Sequence, residues 1–219
     1  MSTLLERFLD PARVSLKICG VRTAADAGLL ADRGVDALGV NFWPESKRYL
    51  SDGEAAWLAP MKDRILRVGV FVNESPDLPL RLFRDGWIDL VQLHGDETPE
   101  DAAVFVREGV PFLKAVGVSA ASDLALAAAY QAAGVLLDAH APGVYGGTGE
   151  AFDWNRAVDF QQRHPEIPLL LAGGITPENA AEAAAFVHPC ALDVASGAEM
   201  APGAKDMQKV DALMKALGR

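Results

Sequence analysis

Along the chain, apolar residues fall into eight short runs rich in Val, Ile and Leu, at 14–18, 37–41, 65–71, 88–93, 111–116, 134–138, 168–172 and 191–194. Each run is followed by a turn signal and a helix-like stretch, over 23–33, 51–60, 75–85, 98–108, 119–132, 153–163, 176–187 and 205–217. Near-continuous apolar strands suit a parallel sheet buried on both faces, and strands alternating with helical patterns imply stacked βα units. Thr23, Ser51, Ser75, Thr98, Ser119 and Thr176 stand at the expected helix starts and are good N-cap types.

Eight such units in 219 residues predict an α/β fold, a single (β/α)8 TIM barrel. An open doubly wound sheet would want a glycine fingerprint after its first strand and an acidic residue on a later one. The segment Lys17-Ile18-Cys19-Gly20-Val21-Arg22 does not supply it. One domain over 14–219 is expected, with residues 1–13 as a short N-terminal extension and the poorly patterned stretch 139–151 as a long functional loop.

Charge and cysteine content narrow the function classes. A net charge of −10 argues against a general nucleic-acid or anionic-membrane surface but allows an anionic metabolite where positive groups are local. Cys19 and Cys190 are far apart, and no Cys-x-x-Cys pair or histidine spacing suggests a metal. The N-terminal segment is interrupted by Glu6, Arg7 and Asp10, and no run approaches a membrane span, so the cytoplasm is the expected compartment.

In a barrel the chemistry collects at the C-terminal ends of the strands. Lys17 and Cys19 point one way from the first strand, while Val14, Leu16 and Ile18 point the other. An ammonium beside a thiol favours the thiolate, which makes Cys19 a candidate base or nucleophile; a small buried strand-end residue is the plainer reading. Asp138 closes the apolar run Gly134-Val135-Leu136-Leu137, so its carboxyl should project into the barrel mouth across from Cys19, as an acid opposite a base. Arg48, after the second strand, is placed to grip a carboxylate through two parallel hydrogen bonds. Phe42 and Trp43 offer either an apolar wall or core packing, and His94 offers a polar contact. Glycine-rich turns after strands six, seven and eight read either as tight βα turns or as phosphate sites, and the pair after seven and eight, at the usual barrel phosphate position, is expected to hold a phosphate on backbone amides. Cys190 reads as a core residue at the opposite end.

The ordered set Lys17-Ile18-Cys19-Gly20, Ser46-Lys47-Arg48-Tyr49, Gln92-Leu93-His94-Gly95, Leu136-Leu137-Asp138, Gly146-Gly147-Thr148-Gly149, Leu171-Ala172-Gly173-Gly174-Ile175 and Asp193-Val194-Ala195-Ser196-Gly197-Ala198-Glu199 resembles phosphoribosylanthranilate isomerase of tryptophan biosynthesis. The resemblance implies an Amadori rearrangement of N-(5-phosphoribosyl)anthranilate to the carboxyphenylamino-deoxyribulose phosphate, with no cofactor or metal. By it, Asp138 is the general acid that opens the ribose ring and Cys19, as thiolate, the base at C2. Arg48 takes the anthranilate carboxylate, and Gly146, Gly147, Gly173, Gly174, Ser196 and Gly197 hold the phosphate. Lys17 is an electrostatic helper, with His94 and Asp193 as further substrate contacts. Ala195 stands where the family often has a polar residue. The implied partner is the small-molecule substrate alone, with no nucleic acid or membrane, the chain acting as a monomer or homodimer. The alternatives are the equivalent aminoaldose isomerase of histidine biosynthesis, activity on both substrates, a silent phosphate-binding barrel and a thiol enzyme using Cys19 covalently.

Overall fold

The computed structural model describes residues 3–117, 127–138 and 154–219. Eight parallel strands, β1 (Ser15–Cys19), β2 (Ala37–Asn41), β3 (Leu66–Phe71), β4 (Leu90–Leu93), β5 (Phe112–Gly117), β6 (Gly134–Asp138), β7 (Leu169–Leu171) and β8 (Ala191–Val194), close into a barrel in sequence order. Closure is made by β1 on β8, with Lys17 opposite Asp193. The helices are α1 (Thr3–Phe8), α2 (Ala24–Asp32), α3 (Asp77–Arg84), α4 (Pro99–Arg107), α5 (Trp154–Arg163), α6 (Ala180–Val187) and α7 (Met207–Ala216).

Period-two alternation sorts each strand into two faces. Leu16, Ile18, Leu38, Val40, Val135, Leu137, Leu192 and Val194 join the outer core against the helices. Ala37, Leu66, Val68, Leu90, Leu113, Leu136, Leu170 and Ala191 form a separate inner core, and Leu5 and Phe8 of α1 pack into it. Residues 1–13, read as an N-terminal extension, thus contain a helix whose apolar side joins the barrel interior; Phe8 is fully buried. Cys190 lies buried in the same inner cluster. Among the described residues, no helix is long and apolar enough to cross a membrane.

Several elements depart from the sequence pattern for local reasons. The segment expected as a helix over 51–60 is a 3-10 helix, Asp52–Met61, which carries Pro60; proline removes a backbone donor and disfavours the α turn. Thr23 and Thr98 cap α2 and α4, accepting from the amides of Asp26 and Asp101 at 3.1 and 3.2 Å. At α3 the cap position is Pro76, one residue after Ser75. The helix expected from Thr176 begins instead at Ala180, because Asn179 folds back: its Oδ1 accepts from the Thr176 amide at 2.8 Å and its Nδ2 donates to the Gly174 carbonyl at 2.9 Å. Between β8 and α7 lies an antiparallel hairpin absent from the pattern, β9 (Glu199–Ala201) and β10 (Ala204–Lys205). Ser119 and most of the stretch 119–132 lie outside the described residues, as do 139–151.

Candidate active site

The last inward residue of successive strands meets at the C-terminal mouth, around a cavity enclosing about 700 Å³ of space open to solvent. Cys19, Asn41, Arg48, His94, Asp138, Gly173, Gly174, Asp193 and Ser196 line it, with Trp43, Val70, Val72, Ala172 and Ile175 as its apolar wall. The candidate acid and base therefore border one space. Phe42, offered as wall or core, is core: it stacks on Phe71 with ring centroids 5.3 Å apart.

Beneath Cys19, Lys17 is wholly buried and its Nζ donates to Asp193 Oδ1 at 2.8 Å. Both side chains fit because β2 carries glycine alongside: a methyl group at Gly39 would stand 2.9 Å from Cys19 Sγ and 3.1 Å from Lys17 Nζ. Arg48 lies over Gly20, where a Cβ would meet its Cδ at 2.2 Å. Its guanidinium is held in a fork by Glu199, Nε to Oε1 at 2.9 Å and Nη2 to Oε2 at 2.7 Å.

Across the mouth, His94 Nε2 is 3.4 Å from Asp138 Oδ2. The loop carrying His94 is tied down by Glu97, which accepts from the amides of Asn73 and Gly95 and from Lys114 Nζ at 2.8, 3.0 and 2.7 Å.

The two glycine turns are built against each other. After β7 the backbone passes through left-handed conformations at Gly173 and Gly174, φ 86° and 68°, which glycine adopts without steric cost. After β8, a Cβ on Gly197 would lie 2.0 Å from the Ile175 carbonyl oxygen, so the turns touch backbone to backbone. Gly146 and Gly147, the other residues expected at a phosphate, lie outside the described residues. Among the described residues no cluster of three His, Cys, Asp or Glu is arranged to hold a metal ion.

The family model described as N-(5'-phosphoribosyl)anthranilate (PRA) isomerase matches residues 16–216. The chain belongs to the phosphoribosylanthranilate isomerase family. A relative from Myxococcus xanthus named N-(5'-phosphoribosyl)anthranilate isomerase is 44% identical over 208 residues, covering 93% of this chain and 95% of the relative. Among solved structures, the phosphoribosyl anthranilate isomerase of Thermotoga maritima superposes with a TM-score of 0.83 at 38% identity, over 94% of this chain and 98% of that one. A structure of the isomerase in complex with reduced 1-(o-carboxyphenylamino)-1-deoxyribulose 5-phosphate gives 0.80 at 36% identity, with the same coverages.

In this isomerase fold the electrostatics around Cys19 are opposed. Burial pushes its thiol above the ordinary value and Asp193 adds to the rise, while Lys17 and Lys205 pull it back. Burial works against the Lys17 ammonium, yet Asp193 and Cys19 outweigh it and the net direction is upward, so Lys17 stays charged. Glu199 is held below the usual carboxylate range: burial opposes this, but the bonds from Arg48 and Lys205 prevail.

Sequence reasoning did not assign a role to Asn41, Val70, Val72, Asn179, Glu199 or Lys205, and gave Gln92 only a share in the polar segment that ends the fourth strand. Alternation carried the signal for three of them, since Asn41, Val70 and Gln92 share parity with the inward residues of their strands. Nothing local marks Lys205, whose place depends on the hairpin.

Proposed function

We propose that the chain, as a member of a family named for this isomerisation, converts N-(5'-phosphoribosyl)anthranilate into 1-(2-carboxyphenylamino)-1-deoxyribulose 5-phosphate, and that it does so by general acid/base catalysis. The observation that carries this reading is that Cys19, Asp138 and Arg48 border one cavity with the touching glycine turns of β7 and β8.

Asp138 gives a proton to the ribose ring oxygen as the bond from that oxygen to C1 breaks, and the anthranilate nitrogen lone pair forms the iminium. Cys19, as thiolate, takes the proton from C2; the C–H electrons neutralise the iminium and give an enolamine. Tautomerisation returns a proton to C1 and leaves the ketone at C2. The iminium is the electron sink, so the scheme needs no cofactor. Arg48 holds the anthranilate carboxylate, and Trp43, Val70 and Ile175 present an apolar wall to its ring. Gly173, Gly174, Ser196 and Gly197, with Gly146 and Gly147, take the phosphate on backbone amides. Lys17, His94 and Asp193 support these groups. The enzyme acts in the cytoplasm, as a monomer or homodimer, in tryptophan biosynthesis.

The test is to generate phosphoribosylanthranilate in situ and follow its fluorescence with wild type, Cys19→Ser and Asp138→Asn, confirming the product by mass. Wild-type decay, reduced by roughly 10² to 10⁴ in each variant, is expected. Decay no faster than the spontaneous rate, or turnover of the histidine-pathway aminoaldose alone, rejects the assignment.

A further inference from the structure

Two buried charges on the β9–β10 hairpin have no task in the acid/base scheme. The Glu199 carboxylate accepts from Arg48, from Lys205 Nζ at 2.6 Å and from the Gly203 amide at 3.1 Å. The Lys205 side chain is 0% exposed, and its ammonium also donates to the backbone carbonyl of Cys19. Taking such ions out of water is expensive, and an apolar pair often anchors a segment at least as well. Retention of the pair therefore calls for something an apolar pair does not supply.

We propose that Lys205 is a positioning residue for Cys19: fixed by Glu199, its ammonium adds a second positive charge, beside that of Lys17, that favours ionisation of the neighbouring thiol.

The charge balance around Cys19 supports this. Lys17 on β1 lowers the Cys19 thiol most strongly, through its charge and a hydrogen bond, and its partner Asp193 on β8 opposes part of that. Arg48, from the loop after β2, and Lys205, on β10, are two cations sharing one carboxylate, which leaves a net positive group against Cys19. Lys209 of α7, bonded to the Glu199 carbonyl at 2.7 Å, adds to the same sign. His94 and Asp138 share the cavity with Cys19. The interaction runs in both directions: Lys205 lowers the Cys19 thiol, and Cys19 raises Lys205 against the burial that pulls it down. Glu199 thus keeps Lys205 charged while holding the Arg48 fork at the cavity wall.

The proposal rests on the isomerase reading in which Cys19 is the base, but the coupling belongs to the resting protein and is tested without substrate. Iodoacetamide alkylation of Cys19 in the full chain is followed against pH and read by mass mapping. Lys205→Gln keeps a donor beside the Cys19 carbonyl and removes the charge. It should raise the alkylation midpoint by about one pH unit and slow alkylation near neutrality roughly tenfold. Lys205→Arg should restore the midpoint. A folded Lys205→Gln protein with lowered turnover and an unmoved midpoint overturns the proposal, since a structural role alone gives that result.

A second measurement leaves the hairpin intact. Coupling between two sites is reciprocal, so in Cys19→Ala the Lys205 ¹⁵Nζ titration should move to lower pH than in wild type. An unshifted titration overturns the proposal. Absence of wild-type turnover with both shifts present would reject the isomerase reading and leave the coupling standing.

Discussion

His94 stands between Gln92 and Asp138, its Nδ1 2.8 Å from the Gln92 amide nitrogen and its Nε2 3.4 Å from Asp138 Oδ2. The two ring nitrogens of His94 thus bridge the Gln92 amide and the Asp138 carboxyl group. Gln92 is fully buried and its Oε1 has no hydrogen-bond partner among the described residues, so its contact with His94 is what fixes the amide. The imidazole therefore holds the acid in place from the side. His94→Ala should lower kcat roughly tenfold to a hundredfold by releasing Asp138 from register, with little change in KM. Steady-state kinetics on phosphoribosylanthranilate decide it, and an unchanged kcat would remove His94 from the mechanism.

The pH dependence follows from the direction of the Cys19 shift. Burial raises the thiol above its ordinary value of 9.0, with Lys17 and Lys205 offsetting part of the rise. The thiolate is the active form, so only a minor fraction is competent at neutral pH, and that fraction grows tenfold per pH unit until the group titrates. The rate of Cys19 alkylation by iodoacetamide, which reads the thiolate alone, should therefore climb through neutrality without levelling. A plateau reached below about pH 8 would mean that the base is already ionised there and would contradict this electrostatic account.

Much of this barrel is legible in the sequence because its strands are short, apolar and bounded, and because period-two alternation alone places Lys17, Cys19, Asp138 and Asp193 on the inner face. What escapes is set by contacts distant in sequence. The hairpin of Glu199–Ala201 and Ala204–Lys205 matters through Arg48 and Cys19, about 150 and 186 residues away along the chain. The role of α1 is likewise invisible, since Leu5 and Phe8 look like an ordinary apolar pair until the open end of the barrel receives them. Asn179 is hidden for another reason: Thr176 is the better-looking cap, and only the fold of the glycine turn brings the asparagine side chain back onto the Thr176 amide.

Gly39 offers a test of the packing behind the base. A methyl group there would meet Cys19 Sγ at 2.9 Å and Lys17 Cε at 3.2 Å; the lysine is fully buried, so the displacement falls on the thiol, which borders the cavity. Gly39→Ala should keep the barrel, since alanine suits strand backbone, while displacing the thiol by a few tenths of an ångström. The expected result is a kcat at least about tenfold lower with modest loss of stability. Wild-type kcat in a folded Gly39→Ala protein would show that the thiol's position is not critical.

Glu97 anchors the His94 loop, and its loss should be felt first as stability. It is 7% exposed, accepts two backbone amides and neutralises Lys114, which is 4% exposed. Glu97→Gln leaves the Lys114 ammonium buried without its counter-ion, the situation that costs about 3–5 kcal/mol. Urea unfolding of the variant should show a loss of that size; a loss below about 1 kcal/mol would mean that water or the Gly95 carbonyl, already bonded to Lys114 at 2.7 Å, compensates the charge.

Cys190 gives the fold a pH limit of its own. Burial in the inner core pushes its thiol from 9.0 up to about 12, while the unfolded chain ionises it near the ordinary value. Below that value both states carry the proton and the folded state loses nothing. Above it the unfolded state gains a thiolate that the folded state refuses, so stability falls as pH rises, by about 1.4 kcal/mol per unit, until the folded thiol itself titrates near 12. Lysines, tyrosines and Cys19 titrate in the same region, so the wild-type curve alone does not isolate the effect. The difference between wild type and Cys190→Ala does. Near pH 8 the variant should be the less stable by about 1 kcal/mol for the missing sulfur, and between about pH 9 and 11 that deficit should shrink and then reverse. Parallel unfolding curves over that range would mean that Cys190 reaches solvent, and the inner core around Leu5 and Phe8 would then be looser than its packing implies.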